Sequence, residues 1–487
     1  MNPASLHAPR PERPLPPILQ RSLGETRRLA LLALPILGAQ FTQAGMGVAD
    51  VIMTGRLGAT DLAAVSVGSS LWMPLMLFMT GTLMGLTPVV GQLLGSGGMQ
   101  AIRERTHQGV WLALGLGGLI ALALWILPAP LFRLMDVPGA AAGLGVDYLR
   151  ALGLGMPGMG LFLALRAFSD GLGHTRPALW IGLVGLGVNV PANYLLIYGG
   201  PGLEALFPVP LPAPLAGLPA LGATGCGLAT ALAFWSMGLA MLLYTRRCRV
   251  YDAIALWTRL TPPRPALLGE LLYVGVPIGV AIFVEVTLFT LIALLVASLG
   301  EITVAAHQVA LNLTSFVFML PLSLGMALTV RVSHALGTGQ SGSARFVAWN
   351  GVLVSLLAAA CNALVLGLWA DPVIGLYSHD PQVQRLAVSL ISLAILFQIS
   401  DALQLSMAGA LRGYKDTRVL MGITLLAYWG VGLMGGHLLA TRGLPDLLPP
   451  LGVHGYWLGL ICGLTVAALL LGVRLQRLSH RWQDARG

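Results

Sequence analysis

The sequence predicts an all-α polytopic membrane protein. Twelve transmembrane helices form two six-helix bundles, each a parallel repeat of the other. Three observations lead there. The 487 residues are 56% hydrophobic and only 10% charged, with a mean hydropathy of +0.80, whereas soluble domains carry about 25% charged residues. Apolar runs of about 20 residues, the length that crosses a bilayer, recur through the chain. The second half also repeats the first at a constant offset of 242 positions.

Residues 1–28 are rich in proline and arginine and lack a short apolar core followed by a small-residue cleavage site. They read as an uncleaved cytoplasmic segment rather than a signal peptide. Runs near 29–55, 61–93, 109–130, 143–166, 177–199 and 222–244 give six spans in a first lobe, 29–244. The stretch 200–221 is too broken by proline to be a span and reads as an outer loop. A basic segment, 245–270, links the lobes. Runs near 271–297, 302–333, 347–370, 384–410, 418–440 and 452–475 supply a second lobe, 271–475, and 476–487 form a tail. Six is even, so both lobes enter the membrane from the same side and the repeats are parallel.

The repeat is visible residue by residue. LGATDLAAVSV (57–67) lies over LGEITVAAHQV (299–309), with Leu57/Leu299, Gly58/Gly300, Ala63/Ala305, Ala64/Ala306 and Val67/Val309 identical. Gly95 and Gly97 match Gly337 and Gly339, Pro35 matches Pro277, and Gly171, Thr175 and Arg176 match Gly413, Thr417 and Arg418. A duplicated polytopic chain is a common plan for a secondary transporter, with its sites near the bilayer midplane.

The net charge of +9 invites a nucleic-acid partner, and its distribution argues against one. With both termini inside, Arg56, Arg133, Arg150, Arg385 and Arg442 fall on or near the outer side; the other basic residues fall in the N-terminal segment, the inner loops or the tail. Clear inner groups are Arg246, Arg247 and Arg249; Arg412, Lys415 and Arg418; and Arg474, Arg477, Arg481 and Arg486. This positive-inside bias sets orientation. Cys226, Cys248, Cys361 and Cys462 have no paired spacing, and the nine histidines form no ligand cluster. The only lysine, Lys415, excludes a GxxxxGK[ST] phosphate loop, so ATP-driven pumping by this chain is not expected. No HExxH or GxSxG pattern suggests an intramembrane enzyme, and no catalytic residue is assigned.

Energy coupling then falls to ionisable groups inside the spans. Three acids lie there: Asp50 in span 1, Glu285 in span 7 and Asp401 in span 10. A carboxylate at the bilayer centre costs roughly 2.5–3.5 kcal/mol even on mild insertion scales, so such groups face a cavity, hold an ion, take up a proton, or hydrogen-bond between helices when protonated. Thr287, Gln398, Ser400 and Gln404 offer oxygen ligands beside the second-lobe pair, which suits a hard cation such as Na⁺. Two carboxylates in one pocket could equally share a proton. In the first lobe Asn189 and Asn193 are i, i+4 on one face of span 5, around Pro191, either lining a cavity or joining helices. Trp72, Met73, Met76, Met79, Phe316, Phe318 and Met319 offer either ordinary packing or an adaptable apolar lining. Under the repeat, Gln43 stands in place of Glu285, Met159 in place of Asp401 and Ile292 in place of Asp50: the scaffold repeats and the acids do not.

The segments PILGAQFTQAGMGVADVIMTGRLGATDLAAVSV (35–67), FVEVTLFTLIALL (283–295), AAHQVALNLTSFVFMLPLSLGMALTVRV (305–332) and DALQLSMAGALRGYKDTR (401–418) resemble the NorM branch of the multidrug and toxic compound extrusion (MATE) transporters. The resemblance runs from about 25 to 475. It implies two bundles set as a V that opens alternately to either side, and export of lipophilic, often cationic drugs driven by Na⁺ or H⁺. It implies a bacterial inner-membrane protein with both termini cytoplasmic, complete as a monomer and needing no cofactor besides the coupling ion. Glu285 and Asp401 match the second-lobe cation-site acids. Asp50 matches the first-helix acid, with Asn189, Asn193, Thr230 and Gln43 in its polar cavity. Some proton-coupled relatives of another branch carry Asp where this chain has Asn193, a difference that favours Na⁺. The alternatives are a flippase for lipid-linked oligosaccharides, which calls for cationic residues inside first-lobe spans, and a Na⁺-coupled uptake symporter.

Overall fold

The computed structural model describes residues 17–134, 136, 139–206, 217–443 and 448–484. Helices α1 (Ile18–Gly55), α2 (Ala59–Gly95) and α3 (Met99–Ile126) are followed by a broken α4, whose parts Gly139–Gly153 and Met156–Gly171 meet at 44°. Then come α5 (Arg176–Gly202), α6 (Gly222–Arg247), α7 (Pro265–Ala297), α8 (Glu301–Gly337), α9 (Ser341–Tyr377), α10 (Pro381–Gly413), α11 (Thr417–Thr441) and α12 (Val453–Asp484). Counting bent α4 as one, these are the twelve expected spans.

Several run longer than the apolar stretches alone indicate. The first helix begins at Pro17, inside the segment read as a lead-in; α7 begins at Pro265, inside the stretch read as linker; and α12 continues to Asp484. Polar termini carry these helices beyond an apolar layer of about 30 Å. The outer loop also changes: past a break at Gly199 (φ 63°), residues 200–206 are still helical, while 207–216 lie outside the described residues. Proline at the first turn starts α7 and α10, where its missing N–H is no loss, and Asp380 caps α10 by accepting from the Gln382 N–H at 2.7 Å. Gly97 and Gly339 take left-handed φ of 78° and 79° in equivalent turns, which explains why the repeat keeps both.

In the first half α5 packs on α6 and α1, and α4 packs on α3 and α6; in the second, α8 and α9 pack on α10, and α10 and α11 on α12. The halves meet along α2 against α7 and α8, and along α1 against α8. Small residues let these backbones touch. A Cβ on Gly81 would fall 2.6 Å from Gly279 Cα, one on Gly85 2.6 Å from Gly275 Cα, and one on Gly95 2.7 Å from Gly337 Cα. All these residues lie in the halves of their helices nearest the start of α1 and the start of α7. We call this the basic end, because the interlobe linker and the arginine-rich turns gather there.

Ion pairs across the two halves cluster at the same end. Arg331 of α8 grips Glu25 of α1 through two bonds of 2.6 and 2.8 Å, and Arg105 of α3 reaches Glu270 of α7 at 3.0 Å. Gln92 of α2 donates to the Gly413 carbonyl at 2.9 Å, and His334 bonds the Gly171 carbonyl at 2.7 Å. These cross-half hydrogen bonds all lie at this end. The molecule is therefore fastened at its basic end.

Candidate functional site

In the first half the structure brings four of the expected residues together. Asp50 comes from α1, Asn189 and Asn193 from successive turns of α5, and Thr230 from α6, which packs on α5. Both asparagines donate to Asp50 Oδ1, Asn189 at 3.2 Å, and the Thr230 hydroxyl donates to Oδ2 at 3.1 Å. Asn193 also donates to Asn189 Oδ1 at 3.1 Å. All four are buried. Both carboxylate oxygens are engaged by donors, so this group is built to hold a negative charge or to exchange a proton. Gln43 is half-buried, and no hydrogen bond joins it to the network among the described residues.

The second-half group is the reverse. Asp401 is 1% exposed and neither of its oxygens has a hydrogen-bond partner; both polar atoms of buried Gln398 and the Oε1 of Gln404 are also unpartnered. Half-buried Glu285 on α7 lies within the electrostatic reach of Asp401. Buried polar groups are normally satisfied, and each orphan costs about 1–3 kcal/mol. A cluster of unsatisfied oxygens with two carboxylates fits a cation: Glu285, Asp401 and the amide oxygens would hold it. Two proposed neighbours do not join them. Thr287 bonds its own helix at Phe283 O, 2.9 Å, and Ser400 pairs with Thr465 of α12 at 2.8 Å.

Two residues that the sequence reading did not place here complete the group. Arg412 was counted among the inner-loop cations, but α10 runs on to Gly413 and buries its guanidinium, 5% exposed, where its field acts on Glu285. Tyr428 is buried with an unpartnered hydroxyl and lies within the field of Glu285, Asp401 and Arg412. It sits in a π-helical stretch, Leu426–Gly435, a departure from α-geometry that recurs at functional sites. Its signal was a lone tyrosine in an apolar run, too common to single out.

Arg166, placed at a span edge by the sequence, is likewise buried inside α4, with its Nε 3.5 Å from Asp170 Oδ2. Asp170 is thus a further buried acid on a spanning helix, missed because α4 outruns its apolar stretch. Trp72 and Met79 are packed in the first-half core, and Trp72 donates to the Tyr148 hydroxyl at 3.1 Å. Met73 and Phe316 are exposed. The four cysteines are unpaired, and no group of three or more metal-ligating side chains occurs among the described residues.

Comparison with known proteins bears on the family and the fold. The MatE family model matches twice, over residues 35–195 and 277–438, which reproduces the internal repeat. Multidrug resistance protein PmpM of Pseudomonas aeruginosa is 44% identical over 463 residues, covering 95% of this chain and 93% of its own. The probable multidrug resistance protein NorM of Shewanella oneidensis is 42% identical over 461 residues, covering 94% and 96%. Among solved structures, the eukaryotic MATE transporter AtDTX14 superposes with a TM-score of 0.80 at 20% identity, covering 96% of this chain and all of that one. A multidrug resistance MATE transporter of the MOP superfamily, in an outward-facing conformation, gives 0.83 at 18%, covering 94% and 97%. At such identities the structures speak for the fold.

Proposed function

The chain belongs to the MatE family as a NorM-type transporter, and on that basis we propose that it is a cation-coupled multidrug efflux antiporter of the bacterial inner membrane. It exports lipophilic, often cationic small molecules by alternating access. The relatives' names point to drug resistance. The observation that carries the reading is buried Asp401, with half-buried Glu285 within its electrostatic reach and unpartnered oxygens around it. Na⁺ is the favoured coupling ion, because those donors are hard oxygens; H⁺ is the alternative, and Asp50 with the donors gathered around it is the site it would use.

By the positive-inside rule the basic end faces the cytoplasm, so a molecule fastened there is open outward. From outside, a cation reaches Glu285 and Asp401, favours one arrangement of the halves and expels the drug; the emptied site then recruits drug from the cytoplasm or inner leaflet. Coupling requires only that each ligand bind the two arrangements unequally. Exchange of one Na⁺ for one monocationic drug is electroneutral, so a tenfold ion gradient contributes only about 1.4 kcal/mol; strong extrusion needs a second ion or the membrane potential, worth about 2.3 kcal/mol per charge per 100 mV.

The test is efflux of a fluorescent lipophilic cation from proteoliposomes under imposed Na⁺ or H⁺ gradients, comparing the parent with Glu285→Gln, Asp401→Asn and Asp50→Asn. Flux driven by Na⁺ alone and abolished by either second-half change supports the reading as stated. Flux driven only by ΔpH and lost in Asp50→Asn moves coupling to the first half. The buried Arg166 bears on the flippase alternative, but its partner Asp170 already neutralises it. Absence of any gradient-driven cation flux would return attention to that alternative.

A further inference from the structure

A groove on the flank of the second half uses a different face of α10 from the acid site. Ser400, Leu403 and Met407 line it, at i, i+3 and i+7, whereas Asp401 and Gln404 do not. Helices α9 and α12 both pack along α10 and touch each other little, which leaves the groove between them. It encloses about 460 Å³. Its rim is apolar and bare, with Leu469 65% exposed and Val473 49%. On a bundle of spanning helices such a face meets acyl chains. Small residues keep the floor open: Ala468 and Gly472 lie one turn apart on α12, and a Cβ on Gly472 would come within 3.3 Å of the Met407 side chain.

The two ends of the groove differ. Toward the middle of the spans it stops at Ser400, whose hydroxyl pairs with that of Thr465 at 2.8 Å, so the polar atoms there are satisfied. At the basic end it opens beside Trp349, Gln476 and Arg477. Arg477 is exposed and has no carboxylate partner among the described residues. Trp349 Nε1 is buried without an acceptor. Arg345, one turn nearer the basic end of α9, adds a second guanidinium by the mouth, where it donates to Gln483 of α12 at 3.2 Å. From Thr465 to Gln476 the helix rises roughly 17 Å, close to half of an apolar layer of about 30 Å.

Depth, apolar walls and a basic mouth together match one chain of one leaflet's lipid. A soluble anion would engage the mouth and leave the apolar length unfilled. A lipophilic cation would fill the length and be repelled at the mouth. We propose that the groove between α9, α10 and α12 binds an anionic phospholipid of the leaflet at the basic end. One acyl chain lies along Met407, Ala468 and Gly472 as far as the Ser400–Thr465 pair. The phosphate meets Arg477, and an ester carbonyl accepts from the Trp349 indole N–H. Basic pockets between spanning helices suit anionic headgroups for this reason.

The test uses the full-length protein in phosphatidylcholine vesicles doped with phosphatidylglycerol that carries a photoreactive diazirine halfway along one acyl chain. Cross-linked peptides are located by mass spectrometry, with a phosphatidylcholine analogue of the same chain as control. Label is expected within 400–407 and 465–473. The phosphatidylglycerol analogue should give at least about fivefold more of it, the factor that one arginine supplies toward an anionic lipid. Arg477→Gln is expected to erase most of that preference and leave the phosphatidylcholine signal unchanged. Ala468→Leu, which fills the floor, is expected to reduce both signals severalfold. Equal labelling of the parent by both analogues, label confined to other segments, or an Ala468→Leu protein labelled like the parent would each overturn the proposal. So would competition by excess inorganic phosphate, which would put a free anion at the mouth. Loss of label to tetraphenylphosphonium but not to unlabelled phosphatidylglycerol would assign the groove to a transported cation instead, and overturns the lipid. Should Ala468→Leu not fold, Arg477→Gln at its exposed position decides alone: an undiminished preference for phosphatidylglycerol overturns the assignment.

Discussion

Gly95 and Gly337, 242 positions apart, lie backbone to backbone where α2 crosses α8, so that a Cβ on Gly95 would meet Gly337 Cα at 2.7 Å. A neighbouring pair of repeat partners, Gly91 and Ser333, makes the same crossing one turn earlier. Gly95→Leu places four carbons in that contact. Overpacking costs about 1–3 kcal/mol, paid only when the basic end is shut. We expect this variant to reach the membrane in normal amount, to show a longer distance between spin labels on cysteines placed at Ser96 and Thr338, and to lose most gradient-driven efflux. Unchanged distance and flux would show that this crossing persists in every working conformation.

Thr230 donates to Asp50 Oδ2 at 3.1 Å, and it does so from a third helix. Thr230→Val keeps the shape and removes the hydroxyl. Loss of a buried bond to a charged group is worth about 1.5–3 kcal/mol, so the melting temperature in detergent is expected to fall by a few degrees. Asp50→Asn turns the centre of the network from acceptor toward donor and is expected to abolish proton-driven flux altogether. A Thr230→Val protein as stable as its parent would mean that the hydroxyl finds another partner.

How much of this was readable beforehand follows from chain geometry. The spans were legible because an apolar run is a local property, and Asn189 with Asn193 because i, i+4 spacing fixes a shared face; that Asp50 joins them from another helix came only from the family resemblance. Arg412 and Asp170 were hidden for one reason: each lies just past the end of its apolar stretch, at 410 and 166, where counting charges near span ends assigns a residue to a loop. Whether a helix continues there is decided by its neighbours. Tyr428 depends on a local change of helical pitch, which hydropathy does not register.

The interlobe linker is held to the first half by side chains of α3. His107 Nε2 meets Leu256 O at 2.6 Å, and Gln108 both donates to Pro262 O at 3.0 Å and accepts from the Arg264 N–H at 2.8 Å. Gln108→Ala leaves both backbone groups unmatched in a part-buried site, at a cost of about 1–3 kcal/mol. Limited proteolysis of everted vesicles should then cut between 248 and 264 roughly ten times faster. Equal cutting rates would place the restraint in Tyr251, which is buried against Ser169 at 2.8 Å.

Two ion pairs at the basic end should differ in weight. Glu25 and Arg331 form a bidentate contact with the carboxylate nearly buried, whereas Arg264 and Glu104 meet at 3.4 Å with the arginine half exposed. Exposed pairs contribute about 0–1 kcal/mol. Glu25→Gln should therefore lower thermal stability measurably and Glu104→Gln should not; the opposite order would contradict the burial of the first pair.

The cores do not respect the boundary between the two repeats. Leu29, Ala33 and Ile36 at the start of α1 pack in a cluster with α8, α9, α10 and α12, while Leu271, Val274 and Ile278 at the start of α7 pack in the cluster of the first half. Each repeat has lent its opening helix turns to the other, an exchange of arms like that of a swapped dimer. Neither half can fill its own interior. Split at the linker and made separately, the halves should be unstable alone and recover only when produced together, which makes fusion of the two copies into one chain a guarantee of stoichiometry and not merely of proximity.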